Sequence, residues 1–381
     1  MIRILTIIGA RPQIIKAAAI SRAIRRHFRG RIEERMLHTG QHYDARMSAV
    51  FFEEMEIPPP DYQLAAGGGS HGEQTAAMLS GIERVMIDTP FHAVLVYGDT
   101  NSTLAGALAA SKLHIPVIHV EAGLRSFNKA MPEELNRIAC DHCSTLLFAP
   151  TATGVRNLQR EGFAIDAKVD SRFSIDKPGV FHCGDVMYDN TRYFSDLALR
   201  QVKMDECLPK QGFVLVTVHR PYNTDDIDRL VNIISDIHTA AAAVGAPLVI
   251  PMHPRTRMRL AEQAPIYLEA LHAFEDVFLL EPVSFLEMLY LEAKSRVIVT
   301  DSGGVQKEAY FLSKPSVVVR SETEWVEIVE HGSAHLAFET GEPLQSAIAA
   351  ALKYKGTDFP PIFGDGDAAK FICEVIYSQF T

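Results

Sequence analysis

The sequence predicts an α/β protein built from two doubly wound, Rossmann-like parallel-sheet domains. Two observations carry this. Apolar runs alternate with amphipathic stretches along the whole chain, as expected for strands covered on both faces by crossover helices. In addition, six loops bearing glycine or charge each end an apolar run. They are Gly9-Ala10-Arg11-Pro12, Gly98-Asp99-Thr100-Asn101, Val120-Glu121-Ala122-Gly123, Val218-His219-Arg220, Met252-His253-Pro254 and Asp301-Ser302-Gly303-Gly304, three in each half. Open parallel sheets bind ligands at the carboxyl ends of their strands. Two sheets sharing one cleft, with nucleotide-phosphate chemistry inside it, follow as the expectation.

In the first half, buried strands are expected at 2–8, 34–38, 93–97, 117–120 and 145–148, with helices at 14–28, 72–87, 103–113 and 132–143. Residues 165–180 mix Lys, Asp, Ser, Pro and Gly without a period and read as a surface excursion. A second alternation follows, with strands at 213–218, 247–252, 277–280, 296–300 and 316–319 and helices at 225–244, 284–294, 305–312 and 343–353. The tail, 367–377, reads as a last amphipathic helix. The domain boundary is expected near 184–191, giving a first domain of 1–186, joined by 367–381, and a second of 187–366.

A chain of 381 residues with 47% hydrophobic content supports two real cores, and a net charge of −10 argues against nucleic-acid and anionic-membrane partners. An anionic ligand must then be held by local Arg, Lys and helix N-termini. The opening run Met1–Ile8 is too short for a secretory signal and is interrupted by Gly9-Ala10-Arg11-Pro12, so a buried strand is the better reading. An odd, scattered set of 5 cysteines suits a reducing cytoplasm. Cys140 and Cys143 have C-x-x-C spacing, but no second ligand pair accompanies them, and helix packing explains them better than a metal or redox role. No metal and no cofactor are expected.

The loops carry the chemistry. Gly9-Ala10-Arg11-Pro12 follows a strand and opens a helix, and proline at a helix start loses no hydrogen bond. The free N–H groups there suit an anion, with Arg11 and Lys16 adding charge; a structural turn with a solvated arginine is the plain alternative. Asp301-Ser302-Gly303-Gly304 repeats the design, and two residues without Cβ let a phosphate approach the backbone. Glu308, one turn in, would repel phosphate and better suits a ribose hydroxyl pair. Asp99, Glu121 and one of Glu133 or Glu134 fall where one sheet edge gathers them, although capping and helix-dipole roles explain each singly. Crowded carboxylates suit acid–base work. His219 and His253 follow strands of the second half, where together they favour a pyrophosphate, and His219-Arg220 suits the charge on a departing diphosphate.

The ordered set GxRP, GDT, HVEAGLR, PEExNR, a strand-end His-Arg, MHP and TDSGGxQxEA resembles the non-hydrolysing UDP-N-acetylglucosamine 2-epimerase family, from Gly9 to about Val329. The resemblance implies a two-domain fold of the GT-B type, with UDP-sugar in the interdomain cleft and a last helix returning to the first domain. It also implies the reaction. A base removes the C2 proton while UDP leaves C1, and UDP re-adds to 2-acetamidoglucal after the proton returns on the other face. By motif position Asp99, Glu121 and Glu134 resemble the acid–base carboxylates, and His219 resembles the residue aiding UDP departure. Arg11, Lys16, Ser302, Gly303, Gly304, Glu308 and Arg320 resemble the UDP clamp, Arg220 and His253 join the UDP-binding set, and Arg137 orients the carboxylates. A homodimer acting in the cytoplasm on surface-polysaccharide precursors is implied by the family alone.

The sequence departs from the family at Pro221-Tyr222-Asn223, at Glu324-Trp325-Val326-Glu327 and at Gln41-His42-Tyr43-Asp44. Several such positions hold a second, activating UDP-GlcNAc in regulated members, which puts that activation in question. Arg125-Ser126-Phe127-Asn128 and Thr323-Glu324-Trp325 look closer to the branch acting on UDP-2,3-diacetamido-2,3-dideoxy-glucuronic acid, whose extra carboxylate would want a cation such as Lys129 or Arg125. Two other functions fit the same architecture: a GT-B glycosyltransferase and a UDP-sugar binder without catalysis.

Overall fold

The computed structural model describes residues 1–41, 52–337, 343–354 and 359–381. His42, Tyr43 and Asp44 lie outside the described residues. The chain divides into two compact units, Met1–Asn190 with Pro361–Thr381, and Thr191–Pro360.

The first unit holds strands β1 (Ile2–Ile8), β2 (Ile32–His38), β3 (Tyr62–Gln63), β4 (Ala93–Tyr97), β5 (Val117–Val120), β6 (Leu146–Ala149) and β7 (Gly179–His182). They form one sheet in the order β3-β2-β1-β4-β5-β6-β7, and every pairing is parallel. Chain order reverses between β1 and β4, so the crevice-forming switch point lies at their carboxyl ends. Leu5, Ile7, Val94 and Val96 pack with Met78 and Ile82 of the helix His71–Asp88 and with the small-residue helix Asn101–Lys112. Gly106 permits that close approach, since a Cβ there would fall 2.7 Å from Ile7 Cδ1.

The helix Ala368–Phe380 belongs to this unit and packs on the helix Arg11–His27. Its amphipathic period buries Ile372, Val375 and Ile376. Its first free N–H groups are capped from elsewhere: the Asp189 carboxylate accepts from Ala368 N at 3.2 Å and Ala369 N at 2.8 Å. Burial pushes the Asp189 carboxyl up to about 7 despite those two donors.

The second unit holds β8 (Val214–Thr217), β9 (Leu248–Pro251), β10 (Val277–Leu280), β11 (Val297–Thr300), β12 (Ser316–Val318) and β13 (Ala334–Leu336), ordered β10-β9-β8-β11-β12-β13 and again all parallel. Its switch point lies between β8 and β11. The core joins Val216, Ile250, Val299 and Val317 to Ile233 and Ile237 of the helix Ile227–Ala242.

Several elements were not anticipated. β3, β7 and β13 are short, and β7 opens with Gly179 at the end of the expected excursion. Two- and three-residue strands show no usable period, and β7 lacks a long apolar run to mark it. The helix expected at 225–244 is found at Ile227–Ala242, its start set by Asp226, which accepts from Arg229 N at 3.1 Å, and a short helix, Pro221–Thr224, precedes it unexpectedly. Helices Ala152–Arg160, Val186–Gln201 and Pro254–Gln263 were also missed. Among the described residues no helix is long and apolar enough to cross a membrane.

Candidate active site

The carboxyl ends of β1, β4 and β5 gather the acidic loops of the first unit. Gly9 ends β1 where a Cβ would fall 2.1 Å from Ser102 Oγ and 2.2 Å from Thr39 Oγ1, so only glycine fits. Gln13 clamps the β1 and β4 ends together. Its Oε1 accepts from Gly9 N and Ala10 N at 2.8 and 3.1 Å, and its Nε2 donates to Tyr97 O at 3.0 Å. Pro12 opens the helix Arg11–His27, and Arg11 is exposed at its first position.

Lys16 lies one turn into that helix and is buried. Its Nζ donates to Glu121 Oε1 at 2.7 Å. Glu121 follows β5 at φ +73°, a left-handed conformation that costs a non-glycine residue about 1–3 kcal/mol. Strain of this kind persists where surrounding structure over-determines it, and here the ammonium of Lys16 is one fixed point. Gly98, after β4, has φ +62°, and a Cβ there would lie 3.2 Å from Lys16 Nζ. The turn therefore needs glycine for its conformation and for the ion pair beside it.

Asp99 pairs with Arg137, whose Nη1 also donates to Glu134 Oε2 at 3.0 Å. Glu134 is buried, and its neighbour Glu133 is exposed on the same first helical turn. That decides which of the two enters the cluster. The Glu134 carboxylate accepts from Ser126 N and Oγ, both at 2.9 Å, and from Phe127 N at 3.0 Å. Burial alone would raise its pKa, but the Ser126 donors, Arg137 and Phe127 N hold it below the usual carboxylate range. Glu134 is thus an ionised strut that holds both Arg137 and the 126–127 turn. Asn136 secures the loop from the other side, donating to Asp99 O at 2.9 Å.

In the second unit Asp301, at the end of β11, is fully buried. It accepts from His219 N at 2.9 Å, Arg220 N at 2.8 Å and Asn223 Nδ2 at 3.0 Å, and His219 Nδ1 lies 3.1 Å from Oδ1. One carboxylate therefore fastens the β8 loop to the β11 loop across the switch point, and it orients the His219 ring by its Nδ1. Burial raises the Asp301 pKa, and these donors, His219 foremost, more than offset it, so the group sits below its ordinary value. The rings of His219 and His253 stack at 4.8 Å. His253 caps its own helix, its Nδ1 accepting from Arg255 N at 3.2 Å, and burial with the nearby His219 and Arg255 lowers its pKa.

Ser302, Gly303 and Gly304 lead into the helix Gly303–Phe311, and the Ser302 side chain does not cap its N-terminus. A Cβ on Gly303 would meet nothing nearer than Trp325 Nε1 at 3.9 Å and Arg220 Nη2 at 4.0 Å, so an anion has open access to the backbone, with the Arg220 guanidinium at hand. Lys307 Nζ lies 4.0 Å from the centre of the Trp325 ring. Arg320 is bidentate to Glu324 at 3.2 Å for both bonds. Glu308 is buried beside Glu292, a fully buried carboxylate with no N–H or hydroxyl donor from a neutral or cationic group against it among the described residues.

The structure thus brings Lys16, Asp99, Glu121, Glu134 and Arg137 into linked pairs on one unit. On the other, His219, Arg220 and His253 lie about Asp301, and Arg220 comes close to Gly303. Arg125, weighed as a partner for an extra substrate carboxylate, is buried and committed to Asp141 and Glu161, both at 2.7 Å. Lys129 is exposed. Sequence reasoning missed the tie made by Asp301, although its place before Ser302-Gly303-Gly304 at a strand end was the available signal. Among the described residues no group of three or more His, Cys, Asp or Glu is arranged to hold a metal ion, and Cys140 and Cys143 are free thiols.

Comparison with known proteins adds a second line of evidence. Residues 23–377 match the family model for UDP-N-acetylglucosamine 2-epimerase. The UDP-2,3-diacetamido-2,3-dideoxy-D-glucuronate 2-epimerase of Pseudomonas aeruginosa is 45% identical over 374 residues, covering 98% of this chain and 99% of that one. The UDP-N-acetylglucosamine 2-epimerase of Methanocaldococcus jannaschii is 39% identical over 374 residues, 97% of each. The solved structure of the M. jannaschii enzyme in complex with UDP-GlcNAc and UDP superposes with a TM-score of 0.83 at 38% identity, covering 98% of this chain and 99% of that one. The Neisseria meningitidis UDP-GlcNAc 2-epimerase bound to UDP-GlcNAc gives 0.81 at 29% identity, with 98% and 99% covered.

Proposed function

Because this chain belongs to the UDP-N-acetylglucosamine 2-epimerase family, we propose that it inverts C2 of a UDP-linked 2-acetamido sugar, with UDP-GlcNAc and UDP-ManNAc as the interconverted pair. The observation that carries the reading is the pair of cation-held acids, Glu121 with Lys16 and Asp99 with Arg137, at the ends of adjacent strands. Epimerisation at C2 needs a base on one face of the carbon and an acid on the other, and two separately anchored carboxylates meet that need.

In this reading one carboxylate takes the C2 proton as the C1–O bond to UDP breaks, giving 2-acetamidoglucal and UDP. The other acid returns a proton to the opposite face of C2, and UDP re-adds at C1. No redox change occurs, and atoms balance without a cofactor. Glu134 and Arg137 hold Asp99 in place. The diphosphate is assigned to the open helix N-terminus at Ser302, Gly303 and Gly304, with Arg220 and the Asp301-oriented His219 stabilising its charge as it departs. Glu308 takes the ribose hydroxyls. Arg11, Lys16 and Arg320 complete the UDP clamp that the family resemblance implies; Lys16 also anchors Glu121, and Arg320 is paired with Glu324.

Incubation in heavy water with UDP-GlcNAc tests this: deuterium must enter C2 of product and recovered substrate. The diacetamido-glucuronate sugar, run alongside, tests the second reading, which the 45% identity to the Pseudomonas enzyme favours. UDP release that requires an acceptor would indicate glycosyl transfer instead, and binding without turnover would indicate a non-catalytic binder. The proposal includes a cytoplasmic homodimer, as the family resemblance implies; light scattering of the purified chain checks the dimer.

A further inference from the structure

Beneath the acidic loops runs a row of charges, buried except at its outer end, that the reaction scheme does not use. His119 stands on β5 two residues before Glu121 and is fully buried. Its Nε2 lies 2.8 Å from Gly98 O, and its Nδ1 lies 2.7 Å from Asp141 Oδ1. The other oxygen of Asp141 takes Arg125 Nη2 at 2.7 Å and Gly123 N at 3.1 Å, and Arg125 closes the row on Glu161. Charges alternate along it.

Each ring nitrogen has an oxygen acceptor within hydrogen-bond reach: a peptide carbonyl and a carboxylate. A neutral ring has one N–H, so one of these contacts would set lone pair against lone pair in a fully buried site. Only the imidazolium satisfies both. Its charge is compensated by Asp141, whose carboxyl is held below its ordinary value: burial opposes ionisation, and His119 and Arg125 outweigh it. Burial likewise opposes charge on His119, but the titratable groups against the ring, Cys140 and Asp141, more than offset it and hold the ring above the usual imidazole value.

The row ends on the two loops that matter. Gly98 O belongs to the residue before Asp99, and Gly123 N comes two residues after Glu121. We propose that His119 is a positioning residue, a buried imidazolium that fixes the Gly98–Asp99 turn and, through Asp141, the backbone that carries Glu121. This rests on the reading of Asp99 and Glu121 as the acid–base pair. His119 touches no reacting atom, so its loss lowers turnover and leaves substrate affinity nearly intact.

The test has two arms on the full-length chain. In the first, wild-type protein labelled with 15N-histidine is compared with His119→Gln. The one imidazole absent from the variant must show both nitrogens protonated above the ordinary imidazole value, at a pH where free histidine is mostly neutral. In the second, His119→Phe should cut kcat about 100-fold and His119→Gln, which keeps a donor, about tenfold, with KM within about threefold for both. A neutral ring in the wild type overturns the proposal, as does a folded His119→Phe with near-normal kcat. If the phenylalanine variant does not fold, the wild-type spectrum and the glutamine variant still decide. A wild type that carries the imidazolium but epimerises neither sugar refutes the proposed function and not the charge state.

Discussion

Lys16 Nζ lies 2.7 Å from Glu121 Oε1, and each side chain is only 11% exposed. A pair this buried and this close is worth far more broken than formed, because losing one partner strands the other charge away from water. Lys16→Met should therefore destabilise the fold by about 3–5 kcal/mol. It should also cut deuterium entry at C2 by about 100-fold, because Glu121 is no longer held where it is needed. Urea unfolding and exchange into the sugar measure the two effects. Near-normal exchange in a folded variant would sink the assignment of Glu121.

Glu133 and Glu134 are chemically alike and differ in surroundings. Glu134→Gln turns an amide N–H₂ toward Ser126 N, Phe127 N or Arg137, all of which are donors. The cost should be about 1–3 kcal/mol, with a large loss of kcat. Glu133→Gln, on an exposed position, should change stability by no more than about 0.5 kcal/mol and leave kcat intact. Equal effects from the two would refute the role given to the buried carboxylate.

Asp301→Asn keeps one oxygen to accept from His219 N, Arg220 N and Asn223 Nδ2, but it removes the charge and turns an N–H₂ toward His219, where the other carboxylate oxygen accepts from its backbone N. We expect weaker UDP binding, read by calorimetry, together with a changed acid limb of unfolding. Because the folded-state pKa of Asp301 is depressed, its contribution is present above the unfolded value of about 3.9 and is lost as pH falls through the folded value. Below about pH 4 the wild type should therefore lose stability faster than the variant. Parallel acid limbs would contradict this.

Glu292 has the opposite sign. Burial first, and Glu308 second, raise its pKa well above the ordinary carboxylate value. A raised folded-state pKa means stability that is complete below the unfolded value of about 4.3 and lost as pH climbs toward the folded one. Glu292→Gln should therefore unfold at higher urea than wild type at about pH 8, by about 1–3 kcal/mol, and the gap should close toward about pH 5. A gap that does not vary with pH would count against a buried, strained carboxylate pair.

Much of the fold was legible in advance. β1, β4, β5 and β10 fall at the expected bounds because each is an apolar run closed by a turn signal. The strands that escaped notice, such as Tyr62–Gln63 and Ala334–Leu336, lie at sheet edges and are too short for a pattern to form. Asp99 and Glu121 stand out because each follows a strand, and Glu133 and Glu134 because they open a helix after Pro132. Their partners were harder to see: Lys16 and Glu121 are 105 residues apart, and Arg137 and Asp99 are 38 apart.

The sequence by itself determined the alternation of strand and helix, the six loops and the family. These depend on local period and on residue types at fixed spacing, which a chain carries before it folds. Only the tertiary structure decided which acid is buried, which cation each one meets, that Arg125 is occupied by Asp141 and Glu161, and that His119 has acceptors on both nitrogens. Charge pairing and desolvation depend on distances of a few ångströms between residues far apart in the chain, and parallel crossovers alone bring those residues together.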